Sequence, residues 1–148
     1  MSIVLDTDVL SELLRPAPEP AVLAWFAAQP SETLFVTAVT QAEMMLGARL
    51  LPAGRRRKAL EDAVQGMLDE DFAGRILPFD SAVVPDYVDI VSHWRAAGRP
   101  IVQFDAQIAA IARRHGAGLA RRNVGDFMGC GLAVIAVGIG SRNPNTGS

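Results

Sequence analysis

The chain has 148 residues and a formal net charge of −2; half of its residues are hydrophobic and a fifth are charged. These values predict one globular domain with a substantial core, and they argue against a surface that binds nucleic acid nonspecifically. The single cysteine, Cys130, excludes an intramolecular disulfide and suits a reducing compartment. Because no signal peptide and no apolar run of roughly 20 residues is found, we expect a cytoplasmic protein that does not enter a membrane.

The first half of the chain predicts alternating strands and helices. Ile3-Val4-Leu5 is a short run rich in β-branched residues, which indicates a buried strand. Apolar residues at helical spacing begin at Val9, so a helix follows almost at once. The next elements expected in chain order are a helix around residues 22–26, a strand over 33–37, a helix over 38–50 and a helix over 55–72.

The second half of the chain continues the same pattern. We expect a short strand over 76–79, helices over 81–97 and 105–115, and short strands over 119–120 and 132–136. Strands that alternate with helices form βαβ units, which give a mainly parallel sheet. The sequence therefore predicts a single three-layer α/β/α domain over residues 1–137, followed by a polar, disordered tail over 138–148.

Two acidic residues follow the first predicted strand. Asp6 ends this strand and Asp8 lies at the start of the next helix. Open α/β sheets bind ligands outside the carboxyl ends of their strands, so these acids are candidate functional residues. The alternative is that one of them caps the helix, because Asp is a favoured N-cap residue. One cap accounts for only one of the two acids.

Three further acids lie where a solvated carboxylate is not expected. Glu43 has helical neighbours such as Val39 and Leu46, which predict an apolar face around it. Asp105 opens a later helix, again on an apolar face, and Asp126 follows a short strand. The structural alternatives are a helix cap at Asp105 and a turn at Asp126.

Acids at these positions of a parallel sheet can converge at one edge. Clustered carboxylates repel one another, so a divalent cation is the natural occupant of such a site. Ligation by oxygen alone, without cysteine or histidine, favours Mg²⁺, with Mn²⁺ as an alternative, over zinc. The residues thus predict an acidic metal site at the carboxyl ends of the strands.

Four stretches of the sequence, in a fixed order, resemble a known family. They are Val4–Leu13, Thr37–Gly47, Gly98–Ile101 running into Asp105–Ala112, and Arg122–Phe127. Each is weak by itself, but the ordered set is fairly specific and covers the chain to about residue 135. It is similar to the PIN domain, the nuclease fold of the VapC and FitB toxins of bacterial toxin–antitoxin pairs.

This resemblance implies a metal-dependent endoribonuclease that hydrolyses RNA phosphodiester bonds and leaves 5′-phosphate and 3′-hydroxyl ends. The catalytic residues and metal ligands that it implies are Asp6, Glu43, Asp105 and Asp126. The residues that it implies around these ligands, or facing the RNA phosphate, are Thr7, Asp8, Asn123 and Arg121.

The resemblance also implies partners. The chain would form a homodimer or a higher toxin–antitoxin assembly. A small cognate antitoxin would hold it inactive by covering the acidic groove with its tail. Operator DNA would be reached only through that antitoxin.

Two positions depart from the pattern of the family. The family usually carries Asn where this chain has Asp8, and Thr or Ser where it has Arg121. One departure adds a negative charge and the other adds a positive charge. We therefore expect the Arg121 side chain to point inward and to pair with Asp126 or Asp8. The alternative is an outward side chain that meets an RNA backbone phosphate at the rim of the groove.

Three other functions compete with the nuclease. A phosphatase of the haloacid dehalogenase type would use Asp6 as nucleophile and Asp8 as acid/base. A receiver-type signalling module would be phosphorylated on Asp. Both classes need a downstream lysine, and the one lysine, Lys58, lies among arginines on a predicted exposed helix. The third alternative is a catalytically degenerate PIN domain that only binds its partner.

Overall fold

The computed structural model describes residues 1–123 and 131–138. Asp126, Cys130 and most of the predicted tail lie outside the described residues, so the expectations for them stay predictions. The helices and strands of the described part are β1 Ile3–Leu5, α1 Thr7–Leu13, α2 Pro20–Ala28, β2 Leu34–Thr37, α3 Ala38–Arg49, α4 Arg55–Gly66, β3 Ile76–Leu77, α5 Val84–Ala96, α6 Gln103–Arg114, β4 Gly118–Arg121 and β5 Val134–Ala136.

This order confirms the predicted alternation of strands and helices. The largest difference in length concerns the helix expected over 55–72, where α4 ends at Gly66 and a π-helical turn, Met67–Asp71, continues it. The turn completes the same apolar face, because Met67 and Leu68 are buried in the core together with Val64 of α4. The apolar spacing therefore located the buried face correctly but not the point where the α-helix ends.

All neighbouring strands of the sheet are parallel, in the order β3-β2-β1-β4-β5. The central strand β1 pairs on one side with β2, where Ile3 is opposite Leu34, and on the other with β4, where Leu5 is opposite Ala120. Parallel pairing brings the carboxyl ends of these strands to one edge of the sheet. Residues that follow β1 and those that end β4 are therefore neighbours.

Helices cover both faces of the sheet. Val4 belongs to an apolar cluster with residues of α5 and α6, whereas its neighbours Ile3 and Leu5 belong to a second cluster with residues of α1, α2 and α4. A strand buried on both faces needs apolar residues at every position, which explains the uninterrupted run in β1. The fold is the predicted three-layer α/β/α arrangement. Within residues 1–123 and 131–138, no helix is long and apolar enough to cross a membrane.

Candidate acidic site at the carboxyl edge of the sheet

Asp6 joins β1, α1 and β4. Its backbone N–H donates to the Ala120 carbonyl at 2.9 Å, and its Oδ1 accepts from the Thr7 backbone N–H at 2.8 Å as the N-cap of α1. The capping alternative is thus correct for one carboxylate oxygen. The other oxygen, Oδ2, accepts a hydrogen bond from Arg121 Nε, and Asp6 is only 3% exposed. Capping therefore leaves half of this carboxylate for another role.

Arg121 ends β4 and turns its guanidinium into the acidic cluster. The side chain is buried; besides its bond to Asp6, its Nη2 lies 3.8 Å from Asp105 Oδ2. The inward direction agrees with the prediction. Among the described residues the ion pairs of Arg121 are with Asp6 and Asp105 rather than with Asp8, and the expected pairing with Asp126 lies outside these residues. The pairing with Asp6 follows from the register, since Leu5 is opposite Ala120 and the next residues, Asp6 and Arg121, become neighbours.

Asp8 holds the chain that leaves β4. Its Oδ2 accepts from the backbone N–H groups of Arg122 at 3.0 Å and Asn123 at 3.4 Å. Its Oδ1 is buried, and no hydrogen-bond partner for it is found among the described residues. Burial raises the pKa of the Asp8 carboxyl, and repulsion by Asp6 raises it further. The free lone pairs of Oδ1 are thus available to a cation.

Glu43 is oriented by hydroxyl groups. The Thr7 hydroxyl donates to Glu43 Oε1 at 2.8 Å and lies 2.9 Å from the Thr40 hydroxyl, which is also 3.4 Å from the Thr37 hydroxyl. Thr37 caps α3 by accepting from the Thr40 N–H at 3.1 Å. Neither Thr37 nor Thr40 was predicted from the sequence as part of the site, although Thr37, directly before a predicted helix, is a recognisable N-cap signal.

The apolar face expected around Glu43 is only partly buried. Its neighbour Leu46 is 56% exposed, and Glu43 itself is half-buried. The prediction of a buried face is therefore wrong for the outer turn of α3, which packs against α4 and α6 on its other sides. Glu43 consequently lies at the rim of the site, reachable from solvent.

Asp105 is the third residue of α6, whose N-cap is Val102, so the capping alternative is wrong. The helix starts two residues earlier than predicted, and the carboxylate lies in its first turn. Burial raises the pKa of Asp105, and the carboxylates of Asp6, Glu43 and Asp8 raise it further, while Arg121 opposes them. Asp105 is thus close enough to the other three acids to be repelled by them.

The oxygen donors of this cluster suit a hard divalent cation, because all of them are carboxylates and one buried oxygen lacks a partner. Among the described residues, however, no group of three or more Asp, Glu, His or Cys side chains is arranged so that it could hold a metal ion. The guanidinium of Arg121 engages Asp6 and approaches Asp105 instead. The type of the donors fits a hard cation, whereas Arg121 now lies against two of them.

Two predicted site residues remain. Asn123 is exposed at the end of the segment that Asp8 holds, and Asp126 lies outside the described residues. A second ion-pair system was not foreseen: buried Glu12 accepts from Arg122 Nη1 at 2.6 Å and from the Glu19 backbone N–H at 2.9 Å. These contacts hold α1 against the residue that precedes α2 and against the residue that follows β4.

A groove of about 550 Å³ opens beside Glu43 and Thr7. It runs between α1, α3 and α4, and most of its lining is apolar. The apolar side chains along it are Leu14, Met44, Ala48, Leu60 and Val64. The acidic rim of the site thus continues into an elongated apolar surface.

The fold and the site define a class: an α/β protein with clustered carboxylates at the carboxyl edge of a parallel sheet. Comparison with known families identifies it further, since the family described as "PIN domain" matches residues 3–124. The chain belongs to the PIN domain family.

Curated relatives are similar along most of the chain. The chain is 41% identical to VapC ribonuclease Y4jK of Sinorhizobium fredii, over 90% of this chain and 95% of that protein. It is 39% identical to Toxin FitB of Neisseria gonorrhoeae, over 90% and 96%. A solved structure of FitAB bound to an IR36 DNA fragment has a TM-score of 0.85 and 40% identity, covering 90% of this chain and 94% of that one.

Proposed function

We propose that the protein is the toxin of a type II toxin–antitoxin pair and that it is an endoribonuclease. The observation that carries this proposal is that acids meet at the carboxyl edge of a PIN fold: Arg121 contacts both Asp6 and Asp105, and Thr7, the next residue after Asp6, donates to Glu43. The similarity to a VapC ribonuclease and to Toxin FitB, spanning nearly the whole of both relatives, supports the same activity. The phosphatase and receiver alternatives receive no support from these comparisons.

The residues would divide the work by position. Asp6, Asp105 and Glu43, with Asp126 from the segment after β4, would hold a divalent cation, for which we propose Mg²⁺ with Mn²⁺ as an alternative. When bound, such a cation lowers the pKa of water and stabilises charge on the transferring phosphoryl group. Thr7 orients Glu43, and Asp8 holds the backbone that carries Asn123 toward the RNA phosphate. For its location we propose the cytoplasm, with which an RNA substrate and a chain that has a single cysteine both agree.

The proposed inhibitor is a cognate antitoxin. Solved structures with similar chains are toxin–antitoxin complexes, including FitAcB from Neisseria gonorrhoeae at 39% identity. The apolar groove beside Glu43 suits an amphipathic segment of such a partner, whose binding would cover the acids. We further propose that the toxin is a homodimer and that operator DNA is bound by the antitoxin part of the assembly.

An RNA-cleavage assay tests the proposed activity. Purified protein should cleave RNA in the presence of Mg²⁺ and lose cleavage in excess chelator. Glu43→Gln should reduce the rate at least about 100-fold, because a ligand of the cation is lost. The matched control is Asp62→Asn, which removes an exposed acid that pairs only with Lys58 in the described structure.

The assay also separates the nuclease from a degenerate PIN domain. Equal residual rates for wild type and Glu43→Gln would mean that a contaminant cleaves the RNA and that this chain only binds a partner. Growth arrest on expression, relieved by the co-expressed neighbouring antitoxin frame, would support the toxin role. Harmless expression together with no cleavage would reject the proposal.

A further inference from the structure

The acidic site of this chain contains a cation of its own. The Arg121 guanidinium is anchored at its Nε by Asp6 Oδ2, and its Nη2 lies 3.8 Å from Asp105 Oδ2. The side chain is only 8% exposed, so this is a buried ion pair rather than a surface contact. An unpaired buried charge is costly, so Arg121 and Asp6 each stabilise the buried, charged form of the other.

The neighbouring arginine does not share this position. The Arg122 side chain points away from Asp6 and Asp105. Its Nη1 lies 2.6 Å from Glu12 and its Nη2 lies 3.4 Å from Glu19. Its backbone N–H, together with that of Asn123, is held by Asp8. Two successive residues thus send their charges in opposite directions, and the clamp by Asp8 fixes the end of the strand from which Arg121 reaches inward.

The position of the guanidinium coincides with the oxygens that a metal ion would need. Asp6 and Asp105 come from β1 and α6, and Arg121 is placed against both of them. A cation coordinated by both Asp6 and Asp105 would lie between these carboxylates, within roughly 2.1 Å of an oxygen of each, in the space that the guanidinium now occupies. Metal binding by this pair of carboxylates and the Arg121 contacts therefore compete for the same space and the same negative charge.

We propose that Arg121 is a resident counter-ion of the acidic site that competes directly with a divalent cation for Asp6 and Asp105. In the resting protein it offsets part of the repulsion among the carboxylates. Binding of the cation requires the guanidinium to leave, which weakens the apparent metal affinity. This inference rests on the proposed metal-dependent function for its biological meaning, but it concerns metal binding alone.

Titration with Mn²⁺ tests the competition without any measurement of cleavage. A cation that binds the folded state stabilises it by RT ln(1 + [Mn²⁺]/Kd), so a fit of the melting temperature against Mn²⁺ concentration gives Kd, which is the midpoint of binding. Arg121→Gln should move the midpoint of this titration to a Mn²⁺ concentration roughly tenfold lower, or more, because one charged hydrogen bond no longer has to be broken. Arg113→Gln is the matched control: it removes an equal charge from the last turn of α6, where Arg113 pairs with Asp86 and Asp89.

Each outcome decides the proposal. Equal midpoints for wild type and Arg121→Gln overturn it, as do equal shifts in both variants, which indicate a general charge effect. Absence of any Mn²⁺-dependent shift in wild type and Arg121→Gln also overturns it. A shifted midpoint without RNA cleavage would leave the competition standing and defeat the nuclease proposal, whereas cleavage with an unshifted midpoint would do the reverse.

A second measurement uses the wild-type protein, in case Arg121→Gln does not fold. The Arg121 Nε–H proton, bonded to Asp6 and buried, should give an NMR signal that exchanges slowly with water. Because Mn²⁺ is paramagnetic and broadens NMR signals, diamagnetic Mg²⁺ is the probe in this measurement. Saturating Mg²⁺ should make the Arg121 Nε–H proton exchange rapidly with water. A signal that stays protected at saturating Mg²⁺ contradicts the competition.

Discussion

At the scale of single residues, the site contains aspartates that look alike in the sequence but whose negative charges affect the stability of the folded protein differently. Asp6 has a guanidinium on one oxygen and a helix N-terminus on the other, so both oxygens are satisfied. Asp105 is affected mainly by burial and by neighbouring negative charges, which raise its pKa. The two carboxylates should therefore contribute to stability with opposite signs.

Neutralising the two acids separately measures this difference. Asp6→Asn should lower the free energy of unfolding of the metal-free protein by roughly 2–4 kcal/mol, because Arg121 remains buried without its principal partner. Asp105→Asn should raise it by up to about 1 kcal/mol at neutral pH, because repulsion is relieved. Urea denaturation at low salt checks both values. Loss of stability in both variants, by similar amounts, would contradict the assignment of Arg121 to Asp6.

The sequence alone suggests a different result for Asp6. Mutual repulsion within an acidic cluster predicts that Asp6→Asn stabilises the protein without metal. The ion pair with Arg121 reverses that expectation, since the charge of Asp6 is compensated. The sign of the change in stability is thus a direct measure of whether the guanidinium points inward.

At the scale of elements, the site depends on how α1 is fixed. Asp6 caps the helix, Thr7 bonds Glu43 of α3, and Glu12 bonds Arg122 at the end of β4. A helix of seven residues has little stability by itself, so these side chains and the buried Val9 hold it in place. A substitution at either end of α1 should therefore alter the positions of the acidic side chains in the site.

Acid should loosen α1 through Glu12. The Glu19 backbone N–H, with smaller contributions from Arg15 and Arg122, holds the pKa of Glu12 below its ordinary value. A carboxyl group with a lowered pKa stabilises the folded state above its unfolded pKa, and this contribution is lost as the pH falls through the folded pKa. The difference in unfolding free energy between wild type and Glu12→Gln should thus be largest near neutral pH and should shrink as the pH falls below about 4.5.

Chemical denaturation across pH 3 to 7, at constant ionic strength, measures this difference. Glu32→Gln, at an exposed position of the turn before β2, is the control and should give a difference near zero at every pH. A difference for Glu12→Gln that does not depend on pH would mean that packing, rather than charge, accounts for its role.

At the scale of the whole molecule, the predicted domain boundary at residue 137 remains a prediction that the contacts support. The strand β5 pairs with β4 along its length, with Leu119 opposite Val134. Just beyond it, buried Val137 donates its N–H to the Arg121 carbonyl at 2.8 Å. Residues 134–137 therefore belong to the packed domain and pack beside the strand that carries Arg121.

Truncation tests the boundary. A chain ending at Gly138 should unfold with the same free energy as the full chain, within about 0.5 kcal/mol, because it keeps every contact of β5. A chain ending at Leu132 should lose several kcal/mol or fail to fold, since β4 becomes an edge strand and Val137 no longer fills the core. Guanidinium denaturation compares the three chains. A large loss on truncation at Gly138 would move the boundary toward the C-terminus.

The sequence by itself determined the fold class and the positions of the acids along it. Apolar runs such as Ile3-Val4-Leu5 and helical spacings are local signals, so they predicted the strands, the helices and their parallel arrangement. The same locality placed Asp6 at a strand end, because the apolar run stops there. It also gave the family, through short motifs that each belong to one element.

Only the tertiary structure decided which charges meet. Asp6 and Arg121 are 115 residues apart in the sequence, and Thr7 and Glu43 are 36 apart. Such pairs depend on the register between β1 and β4 and on where α1 lies against α3, and a shift of one residue in a strand would turn Arg121 to the opposite face of the sheet. The sequence therefore supplied the surplus charge at Arg121, and the packing of distant elements chose Asp6 as its partner.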